Sequence, residues 1–403
     1  MNIKNTRPEI IYITYDGVME PIGESQVISY LEGITNFYKI NLISFEKDSD
    51  LKNKIKLENF NFRLKNYDIL WSKKKYHKFP KIISTIYNIL IGLIVTSYFV
   101  IIKKIKLIHI RSYISGLMVF FLKNFFDFKL IFDIRGFLPE EKVDRMGWNK
   151  NDIKYLFFKK LEKKLINDSD AIVCLTYQSV DILRTLFPTI PLNKFVVIPT
   201  CVDVNKFKNL KTNFIKNQEA EIVFGYIGTI DKAYDIHMVI NLFSKFLKYN
   251  NKIIIKIFCK DSNDYLDKIF KSNNILKKNY TIQYVERNFL PNELNEIDVG
   301  IFNLKENYSI KASFPTRIAE YLSCGIPILC NDFNQDITDL IQFNKVGLII
   351  DFNNRDYHKT YMDIYKLLSD KKINTRCRKL AERQLSLQKG VQSYLQLYNK
   401  LLV

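Results

Sequence analysis

"SFPTRIAEYLSCGIPILCND", residues 313–332, contains in one short run the unit from which the chain is built. Ser313 is placed to cap a helix, Pro315 suits the first turn, and Gly325 followed by Pro327 stops it. Residues 326–330 then form an apolar run of strand length. The helix is short, carries a carboxylate at Glu320 and starts behind a polar loop. A helix start exposes unpaired N–H groups and the positive end of the helix dipole, a natural seat for an anion.

The same alternation recurs along the chain. Residues 9–15, 39–45, 106–110, 129–134, 170–176 and 195–200 read as strands of a first sheet. Residues 221–228, 253–259, 280–285, 298–304, 326–332 and 347–352 read as a second. Runs that are apolar on both faces and separated by amphipathic stretches predict parallel sheets covered on both sides. Two consecutive sets predict an α/β protein of two doubly wound, Rossmann-like domains facing across a cleft. The polar stretch "IPTCVDVNKFKNLKTNFIKNQEAE" separates the sets. The domains are set at 1–205 and 206–380. Residues 381–403 form a C-terminal helix that crosses back to the first domain.

The totals narrow the function. A chain of 403 residues with 47% hydrophobic content supports sizeable cores. The cysteines Cys174, Cys201, Cys259, Cys324, Cys330 and Cys377 are scattered, mostly in apolar runs, and read as buried thiols of a cytoplasmic protein. The four histidines are equally dispersed, so no metal site is expected. The net charge of +19 favours anionic partners. No RNA-binding signature, basic tail or Gly/Arg tract accompanies it, so nucleic acid is not expected. The amino-terminal residues are polar and lead straight into a strand, without a secretory signal.

Residues 82–102, "IISTIYNILIGLIVTSYFVII", carry no charge and have lysines on both flanks. That length reaches across a bilayer. The polar residues Ser84, Thr85, Asn88, Thr96 and Ser97 dilute it, so a buried or interfacial helix is expected in preference to a span. The lysines of "SKKKYHKFPK" (72–81) suit anionic headgroups, at about 1 kcal/mol each near the surface. The 72–104 region is therefore either a peripheral membrane contact or a solvated loop leading into a helix.

The opening stretch closely resembles the helix and following strand of family 4 (group 1) glycosyltransferases of bacterial surface polysaccharide biosynthesis, which have the GT-B fold. Residues 14–34, "IHIRSYISG" (108–116), "FDIRGFLPEE" (132–141), 196–207, 224–236 and 294–304 resemble further segments of that family in its order. Each motif is weak alone; seven in order cover nearly the whole chain. The resemblance implies a metal-independent, retaining hexosyltransferase without a bound cofactor, its co-substrate a nucleotide-diphosphate sugar. It implies a saccharide acceptor, lipid-linked, and a location at the inner face of the cell membrane, as in lipopolysaccharide or capsule synthesis.

On this resemblance Glu320 matches the second carboxylate of a Glu-x7-Glu motif that holds the ribose hydroxyls. A carboxylate accepts from two neighbouring hydroxyls at once. Ser313, Pro315, Thr316 and Arg317 then bound the diphosphate seat, where Arg317 and Lys311 either add positive charge or are surface bases. Gly228 and Thr229 bring backbone to the same diphosphate, and Gly23 gives the first domain a close backbone approach to the donor. The chain departs from the family pattern in three places. The first carboxylate falls on Ala312. The usual phosphate-binding arginine and lysine fall near Thr229 and Tyr234, with Lys232 as a substitute. Asp133 and Arg135 stand where many relatives place a histidine, and are candidates for contacts to the donor sugar or acceptor.

Asp133, Arg135 and Arg317 are the catalytic candidates. An alternative is a catalytically silent GT-B scaffold that binds a partner or a membrane. A nicotinamide-dependent oxidoreductase is disfavoured, since no strand is followed by the glycine fingerprint of dinucleotide binding.

Overall fold

The computed structural model describes residues 7–208, 220–230, 233–260 and 263–402. The chain divides into two compact units, Met1–Pro199 with Leu387–Val403, and Thr200–Ser386.

The first unit is built on β1 (Glu9–Thr14), β2 (Lys39–Glu46), β3 (Ile69–Lys75), β4 (Leu107–Arg111), β5 (Lys129–Asp133), β6 (Ala171–Cys174) and β7 (Phe195–Val197). All neighbours are parallel, in the order β3-β2-β1-β4-β5-β6-β7. The central strands read as continuous apolar runs because helices cover both faces; Ile11, Ile13, Ile108, Ile110 and Ile131 are fully buried. Truncating any one of them to alanine removes about 2–5 kcal/mol. The sequence reading gave this sheet six strands. It missed β3, an edge strand whose "SKKK" end is partly solvated, so the apolar signature fades there.

The second unit holds β8 (Val223–Ile227), β9 (Ile254–Phe258), β10 (Tyr280–Gln283), β11 (Val299–Ile301), β12 (Ile328–Cys330) and β13 (Gly347–Ile349). They are parallel in the order β10-β9-β8-β11-β12-β13. Each of the six strands expected from sequence is present. Both sheets reverse strand order beside their first strand, between β1 and β4 and between β8 and β11. In open α/β sheets the crevice outside the carboxyl ends of the strands at that reversal is where ligands bind.

The closing helix Leu387–Leu402 belongs to the first unit. Its Tyr394 and Tyr398 hydroxyls meet Asp133 Oδ2 at 3.1 Å and His109 Nδ1 at 2.6 Å. Residues 200–205 and 381–386, assigned from sequence to the first domain and to the closing helix, lie in the second unit. The Val202 amide donates to the Leu385 carbonyl at 2.9 Å and ties the two segments together.

Candidate functional site

In the second unit the site begins at the quoted helix, Thr316–Ser323. Gly325, at φ +72°, ends it: the Ile326 amide bonds the Tyr321 carbonyl and the Gly325 amide the Leu322 carbonyl, a Schellman motif. The helix is pinned beneath the sheet by Tyr321, whose hydroxyl donates to the Gly225 carbonyl at 2.8 Å. Ser313 does not cap it. Pro315 occupies the N-cap with no side-chain bond, and a proline there disfavours helical backbone at the residue before it, so Ser313 lies two residues too early. Its hydroxyl reaches only the Ser309 carbonyl, at 3.5 Å. The first-turn amides thus have no side-chain cap.

Arg317 is the centre of the site. It is 7% exposed, and its guanidinium carbon lies 4.1 Å from the centre of the Tyr234 ring, 5.1 Å from Tyr226 and 5.4 Å from Phe302. Its Nη1 is buried with no hydrogen-bond partner among the described residues. Gly228, at φ +118° just beyond β8, makes room for it, since a Cβ there would collide with Arg317 Nη2. A guanidinium held among aromatic faces keeps its charge, yet an unused buried donor is costly. The arrangement is suited to an incoming anion.

Glu320, also buried, does not stand free. Its carboxylate pairs with Arg287 at 2.8 Å, and that guanidinium lies 5.8 Å from the centre of the Phe207 ring. Arg287 was not singled out from sequence, because nothing in the spacing links the two positions.

The remaining expected residues are spread around this centre. Thr229 is exposed, and its carbonyl accepts from the Tyr226 hydroxyl at 3.2 Å. Tyr234 bridges Leu304. Lys311 is exposed, its amine 5.6 Å from the centre of the Tyr308 ring. Ala312 is buried, so its methyl belongs to the core. Lys232 lies outside the described residues.

In the first unit the ends of β4 and β5 bring a second group together. The register sets Thr14 beside Arg111 and Arg111 beside Asp133, with Tyr12 beside His109 two residues back. Ser112 and Arg135, in the turns just after these strands, both take left-handed backbone at φ +67° and +58°, a strain that collects at functional turns. Asp133 is buried, with His109 Nε2 at 3.7 Å and Arg135 Nη1 at 3.9 Å. Burial pushes its carboxyl up, but Arg135, His109 and Arg111 outweigh that and hold it below the usual range. Burial also lowers His109, which is therefore the neutral partner of an ionised aspartate. Asp133 Oδ1 and two nitrogens of Arg111, Nε and Nη1, are buried without hydrogen-bond partners among the described residues.

Arg135 also reaches Gln26 at 3.4 Å, on the π-helical turn Glu24–Ile28. Gly23 is helical rather than a turn glycine, and its missing side chain admits the backbone of Gly17 and Val18. Arg111 was within a quoted motif but was not named from sequence. Its signal was a cation at the end of a buried strand. Among the described residues no three His, Cys, Asp or Glu side chains converge as metal ligands.

Residues 208–384 match the family model of glycosyl transferases, group 1. That span is nearly the whole second unit. Sucrose-phosphate synthase from Thermosynechococcus elongatus superposes with a TM-score of 0.71 at 13% identity, over 98% of this chain and 99% of that one. Anabaena Alr3699/HepE in complex with UDP-glucose gives 0.65 at 10% identity, over 98% and 100%. The lipopolysaccharide outer core galactosyltransferase WaaB, in its apo form, gives 0.63 at 12%, over 98% and 100%. The chain has the GT-B fold. Its second unit carries the match to group 1 glycosyl transferases, and the Arg317 site of this GT-B chain lies inside the matched residues. No curated protein matches the chain.

Proposed function

We propose that this GT-B chain is a retaining glycosyltransferase that moves a hexose from a nucleoside-diphosphate sugar to a saccharide acceptor. The observation that carries the reading is Arg317: a buried guanidinium with an unused donor, at an uncapped helix start, beside a positive-φ glycine at the end of β8. In this role Arg317 and the first-turn amides neutralise the departing diphosphate, at about 3 kcal/mol for each well-placed donor. Front-face attack, with the acceptor hydroxyl passing its proton to the leaving phosphate, needs neither a carboxylate nucleophile nor a metal. Glu320 takes the ribose hydroxyls once Arg287 yields one of its oxygens. The Asp133–Arg111–Arg135 group of the first unit is the candidate for contacts to the transferred sugar or the acceptor. That the named relatives include one solved with UDP-glucose and a lipopolysaccharide galactosyltransferase supports a UDP-sugar donor. The lipopolysaccharide galactosyltransferase also favours surface polysaccharide synthesis. A lipid-linked acceptor, met by a cytoplasmic enzyme at the inner membrane face, completes the proposal.

Two features favour a second reading, a silent scaffold: buried Ala312 in place of a carboxylate, and the Glu320–Arg287 pair. The test is a thermal-shift screen against UDP-, GDP-, ADP- and CMP-sugars, followed by an assay of nucleoside diphosphate release with and without acceptor saccharides. A ligand that binds only the native state raises its melting temperature. A shift with acceptor-dependent release supports transfer, and a shift without release supports the scaffold. No shift with any nucleotide sugar removes both the donor site and the transfer reading.

A further inference from the structure

The helix Lys81–Ile101 is polar on its protein side and apolar on its open side, the reverse of a helix that faces water. Ser84, Asn88, Gly92 and Thr96, at intervals of four, turn inward. Asn88 is fully buried and donates to the Tyr15 hydroxyl at 3.0 Å and the His77 carbonyl at 3.1 Å. Gly92 admits the Met118 thioether. On the other face Ile82, Ile86, Leu90, Ile94 and Tyr98 are all exposed, Ile94 at 68%. The helix is long and apolar enough to cross a membrane, and little of it is buried in the protein. A span would carry Asn88 and its partners into hydrocarbon, so the packing favours a helix lying along a surface.

Charge says what the surface is. From Ile69 to Phe126 the chain has no acidic residue. Exposed lysines mark both ends of the helix, Lys73 and Lys78 before it and Lys104 after it, while Lys75 and Lys103 beside them pair with Asp48 and Glu9. The segment adjoining Met118 adds exposed Phe121 and Phe125. An apolar stripe about 30 Å long, bare of charge along its length and basic at both ends, matches the profile of an anionic bilayer surface: acyl chains below, phosphates at the margins.

We infer that the Lys81–Ile101 helix lies flat in the headgroup–acyl boundary of an anionic membrane, its isoleucine stripe down and its Asn88 face held by the protein. This deepens the location proposed above but rests on packing and charge alone, so it survives if no sugar is transferred.

The test uses the full chain in co-sedimentation with phosphatidylcholine vesicles, with and without phosphatidylglycerol. The expected result is binding to the anionic vesicles, about tenfold weaker to the neutral ones or at high salt. Ile86→Asp combined with Ile94→Asp should lower binding at least about tenfold, since both charges would enter the acyl boundary. Both sites face outward, so the melting temperature and any nucleotide-sugar shift should stay as in the parent. Should that variant misfold, Lys73→Glu with Lys78→Glu provides the same reading through charge. The inference is overturned if the parent chain stays in the supernatant, or if the aspartate variant binds as tightly as the parent. It is equally overturned if sedimentation shows a dimer that the aspartates dissolve while vesicles are ignored.

Discussion

The carboxylate of Glu320 and the guanidinium of Arg287 lie 2.8 Å apart, with the acid almost wholly buried and the base about a quarter exposed. Removing either leaves the other without its counter-charge. Glu320→Ala should cost about 2 kcal/mol of stability, read as a shift in the urea midpoint. Glu320→Gln keeps the shape and loses the charge that would hold two ribose hydroxyls. UDP affinity should then fall about tenfold by calorimetric titration. An unchanged affinity would take Glu320 out of the donor site.

Gly228 and Arg317 form one unit. Gly228→Ala meets both a positive φ and the guanidinium, and should destabilise the second unit by about 1–3 kcal/mol while displacing Arg317. Acceptor-dependent nucleoside diphosphate release should fall with it. Arg317→Lys keeps the charge but loses the planar fork, so turnover should drop more than nucleoside affinity does. Equal losses in both would contradict a leaving-group role.

Arg111 offers a test that separates stability from turnover. Two of its buried donors are unused, but it also helps to hold Asp133 ionised, so the opposing effects of Arg111→Met should leave stability within about 1 kcal/mol of the parent. Transfer should nonetheless fall at least tenfold if the group serves acceptor or donor sugar. Unfolding curves and turnover on the same preparation settle it.

The His109–Asp133 pair sets a pH dependence. Burial holds folded His109 below its ordinary value of 6.5, so on acidification the unfolded chain takes up the proton first. Stability is complete above about pH 6.5 and declines below it. Asp133, held below its ordinary 3.8, adds a second loss as pH falls past that value. Glu46 has the opposite sign. Burial raises its carboxyl above 4.5, against the bonds from Ser44, Val18 and Met19, so its contribution is greatest at low pH and fades as pH rises. Urea midpoints across pH 4–7 should therefore fall toward acid, and His109→Phe should flatten the limb just below pH 6.5.

The sheet architecture was legible because central parallel strands are apolar on both faces, and such runs as "KLIHI" stand out from their flanks. β3 was not, because an edge strand needs no such run. Helix stops were readable from glycine, while the start was misread at Ser313, where Pro315 overrides capping preference through sterics. Candidate site residues could be singled out only where one short segment carries them, as with Arg317, Glu320 and the Gly228 turn. The partners Arg287 and Tyr394 come from distant segments, and no local pattern announces that the fold will bring them together. The inverted polarity of Lys81–Ile101 was equally hidden: sequence shows that serine, asparagine and threonine interrupt the run, but not which way they turn.

Tyr394 and Tyr398 close over Asp133 and His109 from the far end of the chain. As the polypeptide leaves the ribosome, the first sheet must wait, one flank bare, until the entire second unit has been made and residues 387–402 emerge. During that interval His109 and Asp133 lack their tyrosine partners. The amino-terminal unit thus cannot reach its finished state until residues 387–402 have been translated, although it is the first to be started.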